Sequence, residues 1–151
     1  MTRRKPLIFY YGDRYVLLKE QSLLAPLLIN VSGDRGHEVE GVVIAEHDKD
    51  NPKILRRGLE FKAKSALTKT GESNGCHRNS ARFYQGQPKK YDIVTGFAGD
   101  LDSDNLMVWR PHTWLYDKEK KRVVETTTSR DHDFGFVLDE DEAEDFVYWN
   151  T

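Results

Sequence analysis

Apolar positions along the chain fall into short blocks separated by turn-forming residues, and the period within each block predicts its element. Residues 7–11 and 15–18 are dense apolar runs split by Gly12-Asp13-Arg14, which reads as a hairpin. Residues 23–31 are apolar but carry Pro26, and their type stays open. Residues 39–46, rich in β-branched side chains, predict a strand. Asp50-Asn51-Pro52, followed by Leu55, Leu59, Ala63, Ala66 and Leu67, predicts a capped amphipathic helix that Gly58 weakens.

From Lys69 onward the pattern changes. Residues 70–75 form a polar loop, and residues 76–85 predict a short helix ended by Gly86 and Pro88. Three strand-like segments follow, 91–98, 107–116 and 122–127, joined by the polar stretches 99–105 and 117–121. They predict an antiparallel meander. The acidic run 139–145 precedes Phe146-Val-Tyr-Trp149 and suits the first turns of a terminal helix, docked through Phe146 and Trp149. The fold class expected is α+β, a single domain over 1–151. Its residues 1–68 have no role legible in the sequence, and 69–151 carry the candidate catalytic core.

Composition narrows the function. A chain of 151 residues can bury a core without disulfide or metal staples. Lys plus Arg number 23 and Asp plus Glu 25, a formal charge of −2, so no global basic field draws the chain to nucleic acid. No stretch approaches the roughly 18 apolar residues of a membrane span, and the basic start lacks a signal-peptide core. The single cysteine excludes a disulfide framework or thiolate cluster and suits a reducing, cytoplasmic setting. Histidines at 37, 47, 77, 112 and 132 show no metal-ligand spacing. Asp100-x-Asp102-x-Asp104 imitates half a calcium loop, but Asn105 and Pro111 stand where glycine and glutamate are needed. No metal or cofactor is expected.

The candidate chemistry lies in Cys76, His112 and Glu125. Cys76 falls in the first turn of its predicted helix, where exposed amides and the helix dipole favour a thiolate. A four-residue loop, 117–120, would pair Tyr116 with Lys121 and set His112 directly opposite Glu125, with Cβ atoms about 5 Å apart. A five-residue loop would put Thr126 opposite His112 and turn Glu125 to the other face. Trp114 shares the face of His112, either shielding the imidazole or packing in the core. Taken singly, each residue has an ordinary structural explanation: a buried thiol, a strand histidine, a solvated carboxylate.

Asn74-Gly75-Cys76 at a helix start, Val94-Thr-Gly96-Phe97 on a strand, His112-Thr-Trp114 on the next and Val123-Val-Glu125-Thr126 on the last together resemble the transglutaminase-like branch of the papain-like cysteine enzymes. The separations of 36 and 13 residues between Cys76, His112 and Glu125 are similar to that family's core. The resemblance implies an antiparallel sheet packed against a helix that carries the cysteine at its N-terminus. It further implies a nucleophilic Cys76, His112 as base and later acid, and Glu125 orienting the imidazole. Oxyanion donors would be the Cys76 N–H and the Asn74 side chain. The implied activity is that of a thiol peptidase, deamidase or acyltransferase acting on a protein or peptide amide through a thioester, with no cofactor. The chain departs from the family in Glu125, where aspartate is usual, in the polar residues Arg78, Asn79 and Arg82 of the cysteine helix, and in a Gly75 directly before Cys76. The competing expectation is a non-enzymatic interaction domain, such as a degenerate member of the same fold, that binds through its acidic C-terminal segment or its aromatic strand face. Nothing in the sequence indicates an oligomeric state.

Overall fold

A computed structural model describes residues 7–10, 41–44, 50–62, 67–68, 71, 75–101, 106–128 and 130–151. Its elements in chain order are β1 (Leu7–Tyr10), β2 (Gly41–Ile44), α1 (Asn51–Arg57), β3 (Leu59–Phe61), β4 (Leu67–Thr68), α2 (Cys76–Gly86), β5 (Tyr91–Leu101), β6 (Leu106–Asp117), β7 (Arg122–Glu125), β8 (His132–Val137) and α3 (Glu140–Asn150). The sheet runs β1-β2-β6-β5-β8-β3, with β7 on β6 and β4 beyond it. Strands β7, β6, β5, β8 and β3 are mutually antiparallel, whereas β1, β2 and β4 join in parallel. The fold is α+β with an antiparallel centre, and the described strands before residue 69, β1 to β4, join the same sheet.

Alternation along β5 and β6 sends side chains to two apolar layers, so both strands are buried on each face. On the helix-covered face, Ile54 of α1 packs with Phe97, Met107, Trp109, Phe134 and Phe136. Farther along the same face, Phe83 and Tyr84 of α2 and Ala143, Phe146 and Val147 of α3 close over Tyr91, Ile93, Leu115 and Val124. The opposite face gathers Val94, Trp114 and Val123 with Phe61, Tyr116 and Val137. Trp109 and Trp114 therefore belong to different layers, and both are fully buried. No helix among the described residues is long and apolar enough to cross a membrane.

Several elements differ from the sequence expectation. The helix expected to reach Leu67 ends at Arg57, because Gly58 turns extended (φ −64°, ψ 138°) and residues 59–61 pair antiparallel with β8. A Cβ at Gly58 would collide with the Ile54 carbonyl and the Phe134 ring, so the chain passes too close to both for a larger residue. Leu7–Tyr10 is a strand, but its described partner is β2, in parallel. Residues 11–40, with the rest of the expected hairpin and the run 23–31, lie outside the described residues. Strand β8 was not anticipated at all. In α3, Asp139 and Glu142 form a reciprocal capping box and Phe146 docks, but Trp149 is 77 % exposed. The buried stripe is made by Ala143, Phe146 and Val147, and at about 100° per residue Trp149 falls about 60° beyond Phe146, on the side away from Val147.

Candidate active site

The partner strands along one edge of β6 create an opening. Strand β5 pairs with the whole of its other edge, while this edge is taken by β2 over residues 106–109 and by β7 over 115–117. Residues 110–114 between them have no strand partner on that side among the described residues. Pro111 falls within this stretch, and a proline's missing N–H is tolerated where a sheet edge is unpaired. Helix α2 addresses this region. His77 Nδ1 and Thr113 Oγ1 lie 2.7 Å apart, Thr113 continues to Thr95 at 3.0 Å, and buried Asn79 donates to the Thr126 carbonyl at 3.1 Å. The polar character of α2, unusual by the family pattern, thus has a structural use at Asn79. It ties the helix to the bend after β7.

The register of the β6–β7 hairpin differs from the sequence expectation. Asp117 pairs with Arg122, Tyr116 with Val123 and Leu115 with Val124, so the four-residue loop is 118–121 rather than 117–120. Asp117 causes the shift by accepting from the Glu119 and Lys120 amides at 3.0 Å each, and Lys121 closes the turn at φ 54°. Continuing this pairing sets Glu125 opposite Trp114, not His112. A displacement of two residues preserves the face, so Glu125 becomes the diagonal neighbour of His112. Its carboxylate spans that diagonal, with His112 Nε2 to Glu125 Oε2 at 2.7 Å. Glutamate's additional methylene suits this longer reach.

The environment fixes the protonation of the group. His112 and Glu125 are both buried, at 3 % and 0 % exposure, and form an ion pair when the imidazole is charged. With Nε2 engaged by Glu125, Nδ1 is the His112 ring nitrogen left for Cys76, whose sulfur also lies 4.0 Å from His77 Nδ1. Burial would push the Cys76 thiol up, but the hydrogen bond and charge of His112, followed by those of His77, outweigh it and hold the thiol at about 5. Burial likewise opposes the charge on His112, yet Cys76 and Glu125 raise its pKa above the ordinary imidazole value. Glu125 is held below the ordinary carboxylate range, against its burial, by His112 foremost. These shifts favour a thiolate beside an imidazolium near neutral pH.

Trp114 lies over the imidazole with ring centroids 5.7 Å apart and planes 25° from parallel. Gly135 makes room for this layer, since a Cβ there would strike the Trp114 ring at 2.9 Å; its neighbour Gly96, between His112 on β6 and Gly135 on β8, lets the β8 backbone approach closely. Cys76, His112, Glu125 and Trp114 are therefore brought together, while Asn74 lies outside the described residues. Two neighbours escaped the sequence reading. His77 beside Cys76 carried only the weak signal of adjacency, and Asp133 on the unanticipated β8 carried none.

Donor atoms of His112, Glu125 and Asp133 lie within 4.8 Å of one another, a spread that also suits ligands of one cation. The 2.7 Å contact of His112 with Glu125 is shorter than the roughly 3.3 Å between two donors of a tetrahedral zinc. As arranged, His112 and Glu125 are hydrogen-bonded to each other. Asp100, the start of the supposed calcium-loop imitation, accepts from Arg130 and from the Asp131 amide at 3.0 Å each. It anchors the turn before β8. The chain matches no protein-family model, no curated protein and no solved structure.

Proposed function

We propose that this protein is a thiol-dependent amide-bond enzyme on a transglutaminase-like core, with Cys76 as nucleophile, His112 as base and acid, and Glu125 as the orienting carboxylate. The observation that carries this reading is the buried His112–Glu125 pair, 2.7 Å apart, at the start of the helix that bears Cys76, where the imidazoles of His112 and His77 lower the thiol to about 5. A structural cysteine in an apolar site would have its pKa raised instead. Cys76 also precedes the first intrahelical bond, from the Asn79 N–H to the Gly75 carbonyl, so the helix makes no use of its own N–H. That amide is the natural oxyanion donor.

In the proposed reaction the Cys76 thiolate adds to an amide carbonyl, forming a C–S bond and a tetrahedral oxyanion. Collapse breaks the C–N bond as the imidazolium of His112 gives its Nδ1 proton to the leaving amine or ammonia. Neutral His112 then takes a proton from water or from an acceptor amine, which attacks the thioester and returns the thiolate. Water gives peptidase or deamidase activity, an amine gives acyl transfer, and a protein or peptide supplies the amide. The single free thiol accords with a reducing cytoplasmic setting.

The test is the rate of Cys76 alkylation against pH in the wild-type protein and in His112→Ala. The expected wild-type profile turns on near pH 5, and His112→Ala moves it upward toward the free-cysteine value of about 8.5. An inert thiol, or one indifferent to His112, would overturn the reading. A second reading is a protein-interaction role through α3. Exposed Tyr148 and Trp149 pack edge to face at 5.1 Å, beside the exposed acids Glu144 and Asp145. The other surface considered, an aromatic strand face, offers no contact, because Trp109 and Trp114 lie in opposite layers and both are fully buried. The interaction role would require Trp149→Ala to abolish function while Cys76→Ala leaves it intact.

A further inference from the structure

We propose that Asp133 is a positioning residue of this site: it retains a proton at neutral pH and donates it to Glu125 Oε1, locking the carboxylate that orients His112. The positioning role rests on the enzymatic reading above.

Asp133 lies on β8, opposite Ala98 of β5 and Phe61 of β3, on the same face of the sheet as His112 and Glu125. Both carboxyl groups are completely buried. Glu125 Oε2 accepts from His112, but Glu125 Oε1 and both oxygens of Asp133 meet no N–H or O–H donor among the described residues. Two ionised carboxylates with oxygens within 4.8 Å of each other, buried and without donors, would repel each other and leave three acceptors unsatisfied. One proton turns that repulsion into a short, charge-assisted hydrogen bond.

The surrounding charges decide which carboxyl keeps the proton. Glu125 faces the imidazolium at 2.7 Å, which favours its charged form. The groups facing Asp133 are Glu125 on β7, His112 on β6 with a ring nitrogen within 4.8 Å, Arg130 in the turn before β8 and Asp100 at the end of β5; Phe61 on β3 is apolar. Arg130 is drawn 3.0 Å from Asp100, so its charge is divided. Burial, then Glu125, push Asp133 well above the ordinary carboxyl range, with Arg130 opposing them. With Asp133 protonated, each Glu125 oxygen has one donor. The carboxylate cannot rotate away from Nε2, and Nδ1 stays aimed at the thiolate.

Asp133→Asn and Asp133→Ala test this through two readouts, the infrared carbonyl stretch of a neutral carboxylic acid at pH 7 and the pH profile of Cys76 alkylation. The wild type should show the neutral-acid band and Asp133→Asn should lose it. Because the asparagine amide also donates to Glu125, Asp133→Asn should keep the alkylation profile in place. Asp133→Ala, which leaves Glu125 Oε1 without a donor, should move the profile upward by about one pH unit. Absence of the band from the wild type would overturn the proposal. So would an unchanged profile in Asp133→Ala, or a shift in Asp133→Asn as large as in the alanine variant, which would signal a lost charge rather than a lost donor. If Asp133→Ala does not fold, the nearly isosteric Asp133→Asn still decides the protonation through its band and the donor role through its profile. The band is independent of thiol reactivity, whereas a thiol indifferent to His112→Ala sinks the enzymatic reading and the positioning role together.

Discussion

Glu125 reaches His112 across a diagonal, and its value to the site lies in its charge rather than its size. Glu125→Gln keeps the length but removes the negative partner of a buried imidazolium. The alkylation profile of Cys76 in this variant is therefore expected to move upward by about one to two pH units, since ion pairing shifts pKa values on that scale. Trp114, fully buried over the imidazole, has a different part. Trp114→Ala would empty the layer between Gly135 and His112 and should cost about 3–5 kcal/mol, measured from denaturant midpoints. Trp149→Ala, at an exposed position, should change stability by no more than about 0.5 kcal/mol in the same assay. Both residues are tryptophans in the sequence, and only their neighbours distinguish them.

Two elements owe their geometry to local chemistry that a sequence partly displays. The Asp117 side chain gathers the turn amides of the β6–β7 hairpin, and Lys121 pays a left-handed backbone to close it. Lys121→Gly removes that strain and is expected to raise stability by about 0.5–1 kcal/mol, less than the full left-handed penalty because glycine also gains freedom when unfolded. The start of α3 is held by its capping box, and Glu142 also bonds Lys53 and Arg57 of α1 at 2.6 and 2.9 Å. Asp139→Ala should lower stability by about 1 kcal/mol in a thermal melt, the usual loss of an N-cap. The helix from Cys76, the meander of β5 to β7 and the terminal helix were all legible from period and punctuation. The hairpin register was not, because one aspartate hydrogen-bonding its own turn moves the loop by a residue while leaving the hydrophobic pattern unaltered.

Across the whole molecule, the buried titrating groups make stability depend on pH in opposing ways. Cys76 and Glu125 are depressed in the folded state, so their stabilisation is present above their unfolded pKa values. It fades as pH falls toward the folded ones, about 5 for Cys76. Asp133 is an acid with a raised folded pKa, so between about pH 4 and that raised value the unfolded chain has released a proton that the folded protein retains. Stability contributed there declines as pH rises. Asp133→Asn abolishes this one dependence. Its stability relative to wild type should be flat below about pH 4 and then increase by no more than about 1.4 kcal/mol per pH unit, read from chemical denaturation at several pH values.

The sequence by itself determined the α+β class, the helix that begins at Cys76, the antiparallel run of strands after it and the order of thiol, imidazole and carboxylate along the chain. Hydrophobic period and turn residues encode these locally. Tertiary structure decided that His112 and Glu125 meet on a diagonal, that β3 replaces the second half of an expected helix, that β8 enters the sheet beside β5, and that Asp133 arrives against Glu125 in a space without water access. Such outcomes depend on which strands become neighbours and on how burial reprices every charge. A carboxylate's environment is made by residues remote in sequence, so Asp133 looks in the chain like any other acid and becomes distinctive only when β8 carries it inside.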